Sequence, residues 1–400
     1  MTTTTGSALH QELRPLNAHD FLDIDSLLSE EERLIRDTVR DYVRRDLLGR
    51  LPDAFDNAYL PEDFPRSAGN LGLLGMHLEG YGCPGTSAVA YGLACLELEA
   101  GDSGLRSFVS VQGSLAMFAI RRWGSEEQKQ TWLPAMAEGK AIGCFGLTEP
   151  DAGSDPAGMR TTARFEDGRW VLNGAKMWIT NGSIAHVAVV WAKTSDGVRG
   201  FVVPRHTPGF SARDIEHKLS LRASTTSELV FEECRLPESA ILPEAIGLRG
   251  PLSCLNEARF GIIWGAVGAA RACYEAALDY ATTRTQFGRP IAGFQLTQNK
   301  LVEMLTKVNT SLLLALHLGR LKDAGQLHPQ QVSFAKRLNV QNALDVARSA
   351  RTILAANGIT LEYPVMRHMA NLESVLTYEG TGEIHTLIIG QAITGVAAFN

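Results

Sequence analysis

Apolar residues recur at helical spacing over the first third of the chain. Ser29 followed by Glu32 has the pattern of a capping box, in which each side chain satisfies the other's backbone N–H. Further helices are predicted over 87–99, 105–123 and 125–138. Residues 27–140 are therefore predicted to form a helical domain behind a polar, Thr-rich tail at 1–26 that we expect to be flexible. The first helix carries its apolar face on Leu34, Ile35, Val39, Tyr42, Val43 and Leu47.

The pattern changes between residues 141 and 248. Short runs of Val, Ile, Phe and Trp are separated by the turn dipeptides Asp167-Gly168, Asn173-Gly174, Asn181-Gly182 and Asp196-Gly197. Residues 187–191 and 200–203 are predicted to be buried strands. This spacing is typical of a middle antiparallel β domain, either a sandwich or a barrel.

Long helical patterns return from residue 249 to residue 400, over 252–284, 295–324, 329–357 and 379–397. Gly261, Gly265 and Gly268 recur at about one-turn spacing in the first of them. Such glycines either admit another helix at close range or merely weaken their own helix. The chain is thus predicted to be α+β, with a β domain between an N-terminal helical domain and a C-terminal helical bundle.

Composition narrows the class of protein. Hydrophobic residues make up 45% of the 400 residues and charged residues 20%, which excludes a disordered chain. The net charge of -6 disfavours binding to nucleic acid or to an anionic membrane. No membrane insertion is predicted, and the N-terminus lacks the apolar core of a signal peptide, so we expect a cytoplasmic protein.

Cysteine and histidine give no sign of a metal site. The six cysteines are far apart with no C-x-x-C pair, which is typical of reduced, buried thiols. The ten histidines form no H-E-x-x-H and no cluster with Cys or carboxylates. No metal is predicted.

Residues 145–155 are the least ordinary stretch, running from a buried strand into small and turn-forming residues. Free backbone N–H groups there, with the hydroxyls of Thr148 and Ser154, could hold a phosphate or a polar ring edge. The alternative is a plain surface turn. Trp178 is expected on a strand, either in the core or as a shield over a cofactor. Arg284 follows a long helix and either meets a phosphate or only caps that helix.

Two further charges stand out. Glu379 is expected between two helical stretches beside Tyr378, where apolar surroundings could raise its pKa and make it a base. The alternative is a glutamate stabilised by the dipole at a helix start. Arg106 lies among apolar residues, so it either forms a surface ion pair or clamps a buried anion.

Five motifs, in their order along the chain, resemble those of the acyl-CoA dehydrogenases over residues 28–399. The resemblance implies two helical domains flanking a β domain, with FAD bound between them. It also implies a homotetramer that passes electrons to electron-transfer flavoprotein, with Arg284 reaching FAD in a neighbouring subunit. A catalytically silent scaffold with the same fold is the rival from another class. The motifs are 145–155, 178–180, 284–288, 357–358 and 378–381.

Within this family the chain is most similar to the members that act on glutaryl-CoA, through residues 102–112, 219–224, 254–261 and 384–399. The resemblance implies FAD-dependent oxidative decarboxylation of glutaryl-CoA to crotonyl-CoA and CO2, in lysine and tryptophan degradation. Two alternatives stay open: a short- or branched-chain acyl-CoA dehydrogenase, or a glutaryl-CoA dehydrogenase that does not decarboxylate.

The resemblance also implies roles for individual residues. Glu379 matches the catalytic base, Arg106 with Ser107 matches the clamp for the distal carboxylate, and Glu99 matches an acidic residue near that clamp. Substrate contacts are implied for Ser154, Asn256, Arg259 and Gly380. FAD contacts are implied for Phe145, Leu147, Thr148, Gly153, Ser154, Trp178, Ile179, Thr180, Arg284, Phe287, Gln295, Ala355, Ala356, Gly358, Thr381 and Glu383.

Two positions depart from the family pattern. Ala355 and Ala356 stand where relatives usually have glycines in a turn that contacts the cofactor, and Gly113 replaces a more usual serine. Neither departure touches the implied chemistry, but the first could alter the packing of the dinucleotide.

Overall fold

Helices occupy both ends of the chain and a β-sheet lies between them in this computed structural model, which describes residues 15–398. The capping box at Ser29 and Glu32 is confirmed, since each side chain accepts a hydrogen bond from the other residue's backbone N–H. The N-terminal helices are α1 (Glu30–Tyr42), α2 (Leu51–Asp56), α3 (Phe64–Asn70), α4 (Ala88–Gly101), α5 (Ser103–Ser110), α6 (Phe118–Trp123) and α7 (Glu126–Ala137).

Two details of this region differ from the sequence expectation. The predicted helix over 105–123 changes its hydrogen bonding midway, because Val111–Met117 forms π-helical turns between α5 and α6. A small hairpin, β1 (Glu79–Gly80) with β2 (Cys83–Pro84), precedes α4.

Residues 1–14 of the predicted flexible tail lie outside the described residues. Ile24 is buried in the core, and Ala18 accepts a hydrogen bond from the Tyr274 hydroxyl, so the packed chain begins before Leu27.

Most strand pairs of the middle sheet are antiparallel, but β3 runs parallel to β6 from the pair Gly143 and Val187 onward. β4 also meets β6 in one parallel pair, Thr162 with Lys193. A parallel pair needs a long connection between its strands, and about forty residues separate β3 from β6. The strands are β3 (Gly143–Gly146), β4 (Thr162–Glu166), β5 (Arg169–Thr180), β6 (Val187–Thr194), β7 (Gly197–Pro204), β8 (Phe210–Asp214) and β9 (Thr226–Pro237).

Only part of the turn prediction was right. Asp167-Gly168 and Asp196-Gly197 do connect hairpins, β4 to β5 and β6 to β7. Asn173-Gly174 instead lies inside β5, where the register with β9 shifts. Gly174 is needed there because a Cβ would lie 2.5 Å from the Thr161 hydroxyl.

Alternation along β6 divides the core into two parts. Val187, Val189 and Trp191 pack into the large apolar cluster that they share with the helices. The intervening residues, Ala188 and Val190, point into a second cluster on the other face of the sheet. This face of the sheet, to which β3 and β7 also contribute Phe145, Val198 and Val202, therefore packs against the helical core.

The C-terminal helices form the bundle that was predicted, with corrected ends. The predicted helix over 329–357 ends at Leu354 and tightens into a 3-10 turn at Ala355–Ile359. The predicted helix over 379–397 begins only at Gly382, with Thr381 as its cap. The elements are α8 (Arg249–Thr283), the hairpin β10 (Thr285–Gln286) and β11 (Arg289–Pro290), α9 (Gln295–Asp323), α10 (Pro329–Leu354), α11 (Val365–Thr377) and α12 (Gly382–Thr394).

Within residues 15–398, helix α9 is long and apolar enough by length and composition to cross a membrane. It packs against α8 and α10, with Leu301, Met304 and Ala315 among its buried residues. Packing in the bundle core thus accounts for part of its apolar character, since 44% of the apolar segment is buried.

The three glycines of α8 admit α4 at close range, which decides between the two sequence interpretations. A Cβ at Gly268 would lie 1.9 Å from the Leu96 carbonyl oxygen, closer than any real contact. A Cβ at Gly265 would lie 2.0 Å from a carboxylate oxygen of Glu99. Because the backbone of α4 fills the space of a side chain, α8 and α4 pack at backbone distance.

We expect Gly268→Ala to lower the free energy of unfolding by about 3 kcal/mol, since the added methyl must push two packed helices apart. Gly390→Ala is the matched control, because that helical glycine has nothing near its Cβ position and the change should add about 0.5–1 kcal/mol. Denaturant unfolding of both variants checks this. Equal stability of the two variants would contradict the close packing.

Candidate active site

A cavity of about 1140 Å³ lies where the sheet meets helices from both ends of the chain. This volume exceeds the few hundred to about 1000 Å³ of a site for one small ligand. Predicted site residues from five separate stretches of sequence line it together: Ser107, Phe145, Leu147, Thr148, Gly153, Ser154, Trp178, Ile179, Thr180, Asn256, Arg259, Glu379, Gly380 and Thr381.

Other predicted site residues do not line this cavity. Arg106 and Glu99 are fully buried behind its wall. Within one chain, the remaining residues lie away from the cavity, and their implied contacts with FAD stay predictions. Arg284, Phe287, Gln295, Ala355, Ala356 and Glu383 are exposed and Gly358 is buried.

Glu379 lies on the loop between α11 and α12, not in a helix. Its φ is +52°, a left-handed conformation that is unfavourable for a residue with a Cβ. Its Oε2 atom is buried and has no hydrogen-bond partner among the described residues. Burial raises the pKa of this carboxyl, although the cations Arg106, Arg259 and Lys336 act to lower it. A carboxylate without partners at a cavity wall is free to accept a proton.

Lys336 of α10 is a contributor to this site that sequence reasoning missed. Its ammonium is buried and donates hydrogen bonds to the carbonyl oxygens of Tyr378 at 2.9 Å and Gly380 at 2.7 Å. Burial lowers the pKa of Lys336 to about 7. A signal was present in the sequence, because Lys336 falls on the same helical face as the buried Val332, Asn339 and Val340.

Arg106 belongs to a buried network that joins α4, α5 and the Glu379 loop. Its Nε donates to Glu99 at 2.6 Å, and Glu99 accepts a second hydrogen bond from Ser103 at 2.8 Å. Nη2 donates to the Tyr378 hydroxyl. Nη1 is buried and has no partner among residues 15–398. Of the two interpretations of Arg106, the surface ion pair is wrong, because the residue is 0% exposed.

Burial and the nearby carboxylate act in opposite directions on this network. Burial alone would lower the pKa of the Arg106 guanidinium, but Glu99 holds that pKa well above its ordinary value. Arg106 therefore stays charged, and burial raises the pKa of Tyr378, which keeps its proton. Ser107, the next residue of α5, reaches the cavity.

The loop after β3 also lines the cavity and is anchored by the buried carboxylate of Glu149. Glu149 accepts hydrogen bonds from the backbone N–H groups of Arg160 and Thr161, and from the buried Lys176 ammonium at 2.8 Å. Met177 N–H donates to the Thr148 carbonyl, which ties the loop to β5. This predicted stretch is thus a braced wall of the cavity and not a free surface turn.

Trp178 was open to two interpretations, and it is not a core residue. Its side chain is 60% exposed and lines the cavity, with φ at +64° where the register of β5 shifts. An open indole face beside the hydroxyls of Thr148 and Thr180 suits a flat aromatic ligand with polar edges. These residues fit the isoalloxazine ring of a flavin. No group of His, Cys, Asp and Glu suited to a metal ion occurs among the described residues.

Comparison with known proteins agrees with this geometry. Three domain models of acyl-CoA dehydrogenases match the chain: the N-terminal domain at residues 29–140, the middle domain at 144–234 and the C-terminal domain at 246–394. The human mitochondrial short-chain specific acyl-CoA dehydrogenase is 36% identical over 369 residues, which are 90% of each chain.

Solved structures are more similar still. A crystal structure of glutaryl-CoA dehydrogenase from Mycobacterium smegmatis is 64% identical, with a TM-score of 0.95, covering 96% of this chain and 100% of that one. A glutaryl-CoA dehydrogenase from the same organism in complex with FADH2 is 59% identical, with the same TM-score and coverage. The expected fold class and the FAD cofactor are confirmed. The chain therefore belongs to the acyl-CoA dehydrogenase family and is an FAD-dependent acyl-CoA dehydrogenase.

Proposed function

We propose that this enzyme oxidises glutaryl-CoA and decarboxylates it to crotonyl-CoA and CO2, as a step in lysine and tryptophan degradation. The observation that carries the proposal is the buried Arg106. Its Nη1 has no hydrogen-bond partner among the described residues, and its neighbour Ser107 lines the cavity. A buried donor without a partner is costly, and a substrate carboxylate would satisfy it. The similarity to solved glutaryl-CoA dehydrogenases supports the same substrate.

Glu379 removes the α proton of the acyl thioester in this proposal. Its Oε2 makes no other hydrogen bond within the described chain, so the carboxylate is available to the substrate. Burial raises its pKa, which strengthens it as a base near neutral pH. FAD, when bound, accepts the hydride that leaves the β carbon. Phe145, Leu147, Thr148, Gly153, Ser154, Trp178, Ile179, Thr180 and Thr381 would hold the flavin, since they line the same cavity.

Substrate contacts are proposed for further residues at and beside the same cavity. Arg106 and Ser107 would bind the distal carboxylate. Asn256 and Arg259 line the cavity on α8, where the Arg259 Nη1 donates to the Asn256 side-chain oxygen at 3.2 Å. Gly380 and Ser154 complete the proposed contacts with the thioester side of the substrate.

Decarboxylation follows once the α,β double bond exists. The bond from the γ carbon to the distal carboxylate breaks, CO2 leaves, and the electron pair moves through the double bond to the thioester. Glu379, which now carries the abstracted proton, returns it to the γ carbon and completes crotonyl-CoA. A tight pair with Arg106 would stabilise the charge that must disappear. Glu99 already accepts a hydrogen bond from Arg106 at 2.6 Å, and so weakens its hold on the substrate.

A second candidate function is oxidation of a simple short-chain acyl-CoA. The same network favours it, because Glu99 and Tyr378 already give Arg106 two partners from the protein itself. The human short-chain relative is 36% identical. Anaerobic mixing of the enzyme with glutaryl-CoA and with butyryl-CoA distinguishes the two functions. Faster bleaching of the flavin by glutaryl-CoA, together with CO2 release, supports oxidative decarboxylation of glutaryl-CoA. Bleaching by glutaryl-CoA without CO2 release indicates a glutaryl-CoA dehydrogenase that does not decarboxylate. Faster bleaching by butyryl-CoA supports the short-chain function.

The quaternary structure, the electron acceptor and the cellular location are proposed from the resemblance. A homotetramer would bring Arg284, Phe287, Gln295, Ala355, Ala356, Gly358 and Glu383 to FAD, partly across subunits. Electron-transfer flavoprotein would accept the electrons, and the enzyme would work in the cytoplasm. The exposure of the hairpin residues Arg284 and Phe287 leaves them available to a neighbouring subunit.

We expect Glu379→Gln to keep FAD and acyl-CoA bound while the rate of flavin reduction falls by about 10² to 10⁴, the loss usual for a positioned base. The amide has nearly the same shape, and Oε2 makes no hydrogen bond to another described residue that it would break. Stopped-flow absorbance of the flavin measures the rate. Glu373→Gln, which changes an exposed carboxylate at the same cavity, is the control. Rapid reduction in Glu379→Gln would remove Glu379 from the role of base.

We expect Arg106→Met combined with Glu99→Gln to cost glutaryl-CoA about two to four decades in kcat/KM and butyryl-CoA little. The loss follows from about 3–5 kcal/mol for a buried charge left without its partner. The double change avoids leaving Glu99 charged and unpaired inside the protein. Steady-state assays of both substrates on FAD-loaded enzyme measure the ratio. Equal losses on the two substrates would favour the short-chain function.

We expect Arg284→Ala to purify with less FAD and to assemble less well, because a guanidinium at the end of α8 suits a pyrophosphate. Arg289→Ala is the control, since Arg289 lies on the same hairpin but packs over the Phe294 ring at 4.2 Å. The flavin-to-protein absorbance ratio and light scattering after gel filtration report both properties. A fully loaded and fully assembled Arg284→Ala would make Arg284 only a helix cap.

A further inference from the structure

Three consecutive backbone carbonyl groups in the loop between α11 and α12, which carries Glu379, accept hydrogen bonds from buried basic side chains. Lys336 donates to the carbonyl oxygens of Tyr378 and Gly380, at 2.9 Å and 2.7 Å. Arg259 Nε donates to the carbonyl oxygen of Glu379 between them, at 2.7 Å. Lys336 lies on α10 and Arg259 on α8, so hydrogen bonds from two different helices fix the loop.

The backbone of the loop needs such support. Glu379 and Gly380 have φ values of +52° and +102°, and a left-handed residue with a Cβ is unfavourable on its own. Strained conformations of this kind persist only where surrounding contacts determine them. Ionised donors make the strongest hydrogen bonds to carbonyl oxygens, so Lys336 and Arg259 are the contacts that hold the strained conformation.

We propose that Lys336 is a positioning residue for the base: its ammonium fixes the loop so that the Glu379 carboxylate faces the cavity, and its charge keeps that carboxylate ionised. The proposal rests on the proposed role of Glu379 as the base. It assigns to Lys336 two separable effects, one through hydrogen bonds and one through charge.

The charges around Glu379 support the second effect. Burial raises the pKa of Glu379, and Arg106 on α5, Arg259 on α8 and Lys336 on α10 act against this rise. His385 on α12 is buried with its pKa lowered to about 3, so it is neutral and adds no charge near pH 7. Lys336 has its own pKa lowered to about 7, mainly by burial. Removing it takes away one of the three cations that favour the ionised base.

Three substitutions separate position from charge. Lys336→Met removes both effects, Lys336→Gln keeps a donor without a charge, and Lys336→Arg keeps both. Arg337→Gln is the matched control, because Arg337 is the next residue of α10 but is exposed and donates to Thr386 on α12. Each FAD-loaded variant is mixed anaerobically with acyl-CoA, and the rate of flavin reduction is followed from about pH 5 to pH 9. Flavin content and thermal unfolding are measured in parallel.

We expect flavin reduction by Lys336→Met to slow by about 10- to 100-fold from the misplaced base. Loss of a positive charge raises the pKa of Glu379, so the fall in rate at low pH should move to higher pH by about one unit. Lys336→Gln should show the same pH shift with a smaller loss of rate. Lys336→Arg and Arg337→Gln should keep the wild-type position of the acid limb.

An acid limb at the wild-type pH in both Lys336→Met and Lys336→Gln would overturn the charge effect. If, in addition, Lys336→Met reduces its flavin at the wild-type rate, the whole proposal fails and Lys336 has a role in stability alone. If Lys336→Met does not retain FAD, Lys336→Gln carries the same comparison. Glu379→Gln is measured beside them. Retained flavin reduction in that variant would show that the base is another group, which is a different failure from an unshifted limb.

Discussion

The buried ion pair between Glu99 and Arg106 is the interaction on which the arrangement of this enzyme depends. Both residues are 0% exposed, and a charge in such a place is tolerated only with a partner. The pair holds α4 to α5, and through the Tyr378 hydroxyl it reaches the loop that carries Glu379. Gly265 of α8 lies against Glu99 with no room for a side chain, so helix packing and site geometry meet at the same carboxylate.

Much of the architecture follows from local pattern. Helical periodicity and the Ser29 capping box predicted the helical ends of the chain, because amphipathic spacing and caps are local properties. The parallel pairing of β3 with β6 could not be predicted from local pattern, since about forty residues of sequence separate the two strands. The helix predicted from Glu379 begins late because the loop before Gly382 is held by contacts distant in sequence.

The candidate site shows the same division. The resemblance assigned Glu379, Trp178 and the loop at 145–155 to one site, and residues from all three line one cavity. The sequence left Trp178 open between a core position and a shield over a cofactor, and a register shift in β5 turns its indole outward. The contribution of Lys336 was missed because no sequence motif distinguishes a lysine that contacts a site from any other lysine on an apolar helix face. At Ala355, φ is +51°, a left-handed conformation that favours glycine, although this chain has a Cβ there.

The charge balance of the cavity wall bears on how product and substrate exchange. Three basic side chains, Arg106, Arg259 and Lys336, lie near the two carboxylates Glu99 and Glu379 on this side of the site. Under the proposed reaction a dicarboxylic substrate brings a further negative charge to these basic groups, and CO2 carries none away as it leaves. Crotonyl-CoA then has no distal charge with which to hold its place. Turnover itself would thus abolish the attraction that retained the acyl end, and fresh glutaryl-CoA would displace product without any movement of the fold.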